Sequence, residues 1–219
     1  VPVAEFRVGL ILAEMKNIAR GHARLMEGEW GGKFSNSDFV YNLKNKYVGI
    51  VGCGAVGSYV AEIMKAMHAK ILVYDPYIAN DVLEEKGYIP VSLEQLCRQA
   101  DVISIHYRLT EETENLIQEK HFALMKPTAY LINTARAGLV NESALITALK
   151  EKRIGGAALD VFHQEPLPKN HPLLKMDNVT LTPHMAGTCT DLMDITIDIA
   201  KNCLIHYLET GEWTNIVSG

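Results

Sequence analysis

One stretch constrains this chain more than any other. An apolar run at 47–52 leads into Gly52-Cys53-Gly54-Ala55-Val56-Gly57 and then into a helical pattern from about 55 to 67. A second apolar run, at 71–74, ends at Asp75, 18 positions after the last glycine. Three glycines at this spacing are a weak signal alone. Preceded by a strand, followed by a helix and matched by an acid closing the next strand, they read as the phosphate turn of a dinucleotide fold. Gly52 permits the tight turn, Gly54 lets the backbone approach a pyrophosphate, and Gly57 allows close helix packing. The helix N-terminus supplies free N–H groups for that pyrophosphate. Asp75 is placed to accept hydrogen bonds from the adenosine ribose hydroxyls and to repel a 2′-phosphate, so NAD is expected rather than NADP.

The rest of the chain repeats the alternation. Short apolar runs at 102–106, 129–132, 156–161 and 179–181 read as buried strands. Between them lie helical patterns at Leu93 to Gln99 behind the capping pair Ser92 and Gln95, at about 115–124, and at about 142–150 behind the N-cap candidate Asn141. This order predicts an α/β fold: a Rossmann-type, doubly wound parallel sheet with helices on both faces, one dinucleotide-binding domain over 1–219. A last helix is expected at about 189–209. At the other end, a helix is expected over about 3–27, with Val8, Leu12, Met15, Ala19, His22 and Met26 on one stripe. Phe6, Leu10 and Ile18 widen that stripe, which suggests cover on two sides and a homodimer contact through this region.

Composition excludes other classes of function. A net charge of -5 and a pI near 5.9 give no basic field for nucleic acid. No apolar run reaches the roughly 18 residues of a membrane span, and Glu5 and Arg7 interrupt any signal-peptide pattern. Cys53, Cys97, Cys189 and Cys203 form no Cys-x-x-Cys pair, which suits a reducing, cytoplasmic setting. No metal is expected: His163 and His171 flank Glu165 at a spacing that matches no standard ligand pattern. The first residue, Val1, is not methionine, as though something upstream had been removed.

Ligands of open parallel sheets bind beyond the carboxyl ends of the strands. That filter selects His106, Arg136, Asp160 to Glu165, and His184. Taken with the glycine turn and Asp75, the segments Ser104-Ile-His-Tyr-Arg-Leu-Thr110, Ile132-Asn-Thr-Ala-Arg-Ala-Gly-Leu-Val140, Gly155-Gly-Ala-Ala-Leu-Asp-Val-Phe162 with Gln164-Glu-Pro166, and Thr182-Pro-His-Met-Ala-Gly187 resemble the nucleotide-binding domain of the D-isomer-specific 2-hydroxyacid dehydrogenases. Within that family the look is phosphoglycerate dehydrogenase-like. The resemblance implies that Arg136, Glu165 and His184 are the catalytic arginine, glutamate and histidine. It implies cofactor contacts from Gly52, Gly54, Ala55, Val56, Gly57, Asp75, His106, Thr134, Ala135, Arg136, Asp160, His184 and Gly187.

The implied activity is interconversion of a D-2-hydroxy acid and a 2-keto acid with NAD. His184 would protonate the alkoxide that hydride delivery creates, Glu165 would orient the ring and favour the imidazolium, and Arg136 would grip the substrate carboxylate. One departure stands out: Arg108 occupies a position where the family usually has proline, and a guanidinium there suits an anionic substrate group. In the family a second domain closes over the substrate, and nothing in this sequence corresponds to it. The chain alone is therefore expected to bind NAD, to dimerise and to turn over poorly. A dimeric NAD-sensing regulator with the same residues is the alternative reading.

Overall fold

The computed structural model describes residues 2–214; Val1 lies outside them. Residues 3–186 form one compact unit, and residues 187–214 belong to a second. The first unit is built on a seven-stranded sheet in which every neighbouring pair is parallel. In chain order the strands are β1 (Tyr47–Val51), β2 (Lys70–Tyr74), β3 (Ile89–Pro90), β4 (Val102–Ile105), β5 (Tyr130–Asn133), β6 (Gly156–Leu159) and β7 (Val179–Leu181). Their spatial order is β3-β2-β1-β4-β5-β6-β7, so the winding reverses between β1 and β4. At such a reversal the loops diverge and leave a crevice for ligand.

The central strands are apolar on both faces because both are covered. Val48, Ile50, Ile71, Val73 and Ile132 face a core completed by Ala4, Leu10, Ile11 and Met15 of α1 (Pro2–Met15) and by Val60, Ala61 and Met64 of α3 (Ala55–Ala66). Val51, Leu72, Ile103 and Leu131 face the other core, with Leu93 and Leu96 of α5 (Leu93–Gln99), and Leu145 and Leu149 of α7 (Glu142–Lys150). Both of these last helices start where the sequence placed them. The Ser92 hydroxyl accepts from the Gln95 N–H while the Gln95 side chain accepts from the Ser92 N–H, and the Asn141 side chain accepts from the Ala144 N–H.

Two expectations need correction. The N-terminal helix is broken: Asn17 takes a left-handed φ of 58°, separating α1 from α2 (Ile18–Met26), which buries none of its residues. The stripe therefore stops at Met15; Ile18 and Met26 are exposed, and the face α1 buries includes Arg7 and Glu14. The helix expected at 115–124 shrinks to α6 (Glu119–Phe122), because Asn115 is left-handed and Ile117 is extended, bridged in parallel to Val140. A short helix, α4 (Asn80–Glu85), and the two-residue β3 were not foreseen. The second unit contains α8 (Leu192–Thr210), closed by Gly211 at a φ of 77°, with Tyr207 and Trp213 stacked at 4.2 Å.

The glycine turn is held at close quarters. Gly52 has a φ of 92°, and a Cβ on Gly57 would stand 2.1 Å from the Gly52 carbonyl oxygen. Gly57→Ala must push backbone apart, and is expected to cost about 1–3 kcal/mol of stability. A urea melt of the variant with an unchanged midpoint would contradict that packing.

Candidate active site

All the singled-out strand-end residues lie at one edge of the sheet. Gly52 follows β1, His106 follows β4, Thr134 to Arg136 follow β5, Asp160 follows β6, and Thr182 to His184 follow β7. Parallel strands guarantee this convergence from distant parts of the sequence.

The turn after β1 fits a dinucleotide. Helix α3 begins at Gly54 with no side-chain cap, so its first N–H groups, including those of Ala55 and Val56, are free for an anion. The space where a Gly54 Cβ would point is open, whereas Gly52 and Gly57 are packed against Tyr107 and His106. Asp75 stands at the end of β2 as its proposed role requires. Its Oδ2 accepts from the Cys53 N–H at 2.7 Å and its Oδ1 from the Tyr77 N–H at 3.0 Å, so it also braces the glycine turn. Each carboxylate oxygen retains capacity for a ribose hydroxyl.

Glu165 and His184 come together. Glu165 Oε2 lies 2.6 Å from His184 Nδ1, and Glu165 Oε1 accepts from the Phe162 N–H at 2.9 Å. The His184 bond, and then the Phe162 N–H, hold the Glu165 carboxyl below the usual carboxylate range, with the Arg136 charge adding to the effect. Among the described residues His184 Nε2 makes no hydrogen bond, which leaves it for a reacting group. His184 itself has a left-handed φ of 51°, in a turn where its N–H donates to the Thr182 carbonyl at 3.1 Å.

That turn is clamped by Asp160, whose side chain is fully buried. Its Oδ1 accepts from the Thr182 hydroxyl at 2.5 Å and the Met185 N–H at 3.0 Å, and its Oδ2 from the Ala186 N–H at 2.8 Å. The resemblance placed Asp160 against the cofactor; the geometry adds a task that the sequence did not reveal, fixing the turn that aims His184. A cleft of about 660 Å³ opens beside the pair, lined by Phe162, Glu165, Leu167, Leu174, Thr182 and His184. Neither the glycine turn nor Arg136 lines it.

Arg136 is exposed, its Nη1 donating to the Ala135 carbonyl at 2.7 Å. The 133–136 turn is shaped by Asn133, missed by sequence reasoning, whose amide donates to the Arg136 carbonyl and accepts from the Ala135 N–H. Thr134 is buried, and its hydroxyl receives Nε and Nη2 of Arg7. Arg7 was also missed as a site residue. Its only trace in the sequence is a charge on an apolar helix face. Arg108 is exposed on the loop after His106 and shares no hydrogen bond or ion pair with Arg136, Glu165 or His184. His163 and His171 are engaged separately, with the Val140 carbonyl and with Glu142. Gly187 opens the second unit.

Comparison with known proteins follows the same lines. Residues 8–186 match the family described as D-isomer specific 2-hydroxyacid dehydrogenase, NAD binding domain. A glyoxylate reductase of Thermofilum pendens is 44% identical over 213 residues, covering 94% of this chain and 62% of that protein. A D-3-phosphoglycerate dehydrogenase of Methanocaldococcus jannaschii is 43% identical over 189 residues, covering 86% of this chain and 35% of that protein. Among solved structures, the NAD-complexed D-isomer specific 2-hydroxyacid dehydrogenase of Lactobacillus delbrueckii ssp. bulgaricus superposes with a TM-score of 0.85 at 31% identity, over 99% of this chain and 69% of that one. The chain thus spans under two thirds of the length of these two curated relatives. With a match that runs from the first helix to the turn after β7, the chain belongs to the D-isomer specific 2-hydroxyacid dehydrogenase family, through its NAD binding domain.

Proposed function

We propose that this chain is the NAD-binding part of a dehydrogenase that interconverts a D-2-hydroxy acid and a 2-keto acid. The observation that carries the proposal is the Glu165–His184 pair, held at the sheet edge that also bears the glycine turn. When bound, the nicotinamide supplies or accepts the hydride. Arg136 offers a planar fork to the substrate carboxylate and positive charge to the carbonyl oxygen. His184, with Nδ1 committed to Glu165, gives a proton from Nε2 to the oxygen on which negative charge develops, and in the reverse direction takes it back. Glu165 keeps the ring in one orientation through its 2.6 Å contact with Nδ1.

The named relatives reduce or oxidise small hydroxy and keto acids, which motivates that substrate class. Because the relatives are longer, brisk turnover is expected of any longer protein that carries this chain together with a substrate domain, and weak turnover of the 219 residues alone. Self-association through the N-terminal region and a cytoplasmic setting are part of the same proposal. Steady NADH oxidation by the longer protein with a panel of 2-keto acids is the expected result. NADH binding that changes only self-association, with no turnover on that panel, would instead make the protein a dinucleotide-sensing module.

Asp75 gives a separate test of the cofactor site. Asp75→Ala removes acceptors for the ribose and frees the Cys53 N–H, so NADH affinity is expected to fall at least roughly tenfold, the worth of one hydrogen bond to a charged group. The preference for NADH over NADPH should shrink with it. Fluorescence titration with both nucleotides reads the two effects.

A further inference from the structure

Arg7 enters the sheet edge from α1 and lies outside the residues that match the family. It is 1% exposed, and among the described residues it forms no ion pair. Its Nη1 donates to the Ile105 carbonyl and meets Nδ1 of His106 at 2.5 Å, while Nε and Nη2 hold the Thr134 hydroxyl. One guanidinium thus ties the ends of β4 and β5 together where the cofactor crevice opens.

The chemistry of that contact fixes a proton. A guanidinium has donors and no acceptor, so the His106 nitrogen facing it must be a bare lone pair. The proton of the neutral ring then has one place left, Nε2. Nε2 is buried and has no hydrogen-bond partner among the described residues. The ring packs against the glycine turn: a Cβ on Gly57 would lie 3.3 Å from His106 Cγ. A buried N–H left without an acceptor costs about 1–3 kcal/mol, so a fold that keeps one at a ligand site gains when the ligand supplies the acceptor.

We propose that Arg7 is a positioning residue that locks His106 as the neutral Nε2–H tautomer, and that this N–H donates to an oxygen of the phosphate–ribose backbone of the bound dinucleotide. The second half rests on the cofactor reading; the first does not. The ionisable groups that face the ring reinforce the lock. Arg7 from α1 opposes a second proton directly, Asp160 after β6 acts on Arg7, and the first turn of α3 contributes no charge. Burial and the Arg7 charge together hold His106 well below the ordinary histidine range, and Arg7, drawn down by its own burial to about 9, remains a donor at neutral pH.

The test is two-step. Long-range nitrogen–proton NMR of the cofactor-free protein should show His106 with its proton on Nε2 and no titration near the free imidazole value of about 6.5. An Nδ1–H tautomer or a normal titration overturns the lock whatever the cofactor does. ADP-ribose, which carries the phosphates and riboses without the nicotinamide, should then shift the Nε2 resonance as NADH does. His106→Leu should weaken NADH binding roughly tenfold. An unmoved Nε2 resonance with NADH demonstrably bound overturns the donor role while leaving the cofactor reading intact, and absence of NADH binding overturns both. Arg7→Met should release the tautomer and Arg7→Lys should restore it in part. If those variants do not fold, the wild-type spectrum alone still decides the lock.

Discussion

Replacing His184 with asparagine is expected to lower kcat for 2-keto acid reduction by about 10²- to 10⁴-fold, the usual worth of a positioned general acid. NADH affinity should fall far less than kcat, because the other cofactor contacts that the resemblance implies remain. The asparagine amide can still donate to Glu165, so the surrounding turn keeps its anchor and the loss is confined to the missing Nε2 proton. Glu165→Gln should act in the same direction but more weakly, since the imidazole remains and only its orientation and the support for its charge suffer. Steady-state kinetics separate the two by the size of the loss in kcat. A His184→Asn enzyme that retains its rate would remove His184 from the chemistry.

The second large effect is expected at Asp160. Asp160→Ala strips the acceptor from the Thr182 hydroxyl and from the Met185 and Ala186 N–H groups, and removes a carboxylate that is itself fully buried. Arg7 also loses a favourable charge. Uncompensated donors of this kind cost about 1–3 kcal/mol each and are not additive, so a loss of about 3 kcal/mol is expected. For a domain of this size that lowers Tm by roughly 6–12 °C. Calorimetry checks it. A variant that melts with the parent would mean that the 182–186 turn holds itself. Because this turn aims His184, the folded fraction of the variant should also lose kcat, and unlike His184→Asn it should pay in stability as well.

Much of this architecture is legible in the sequence. The capping residues Ser92, Gln95 and Asn141 act within one turn of chain, so local pattern suffices to place α5 and α7. The strands were legible because a sheet covered on both faces demands continuous apolar runs. Misreadings occurred where distant parts of the chain override local preference. Residues 115–124 have helical periodicity, but Ile117 is drawn out of it: its N–H donates to the Leu139 carbonyl, and the Asn141 N–H donates to its carbonyl. At residue 17, asparagine tolerates a left-handed backbone that periodicity does not register. The site divides the same way. The glycine turn is one contiguous motif, whereas the Asp160 clamp exists only once β6 and β7 are paired, and the Arg7 contact joins residues 127 apart in sequence. A buried charge satisfied at that range leaves no local trace.

The seven-stranded sheet has one more consequence, at its margins. Parallel sheets assemble through long connections and form slowly, which leaves their unpaired borders available to other chains during synthesis. Here the borders are cut short. β3 contributes two residues, one of them a proline without an N–H, and β7 contributes three. A neighbouring molecule that tried to extend the sheet would find too few donors and acceptors to hold it, so the protein carries its defence against edge-to-edge aggregation in the brevity of its outermost strands.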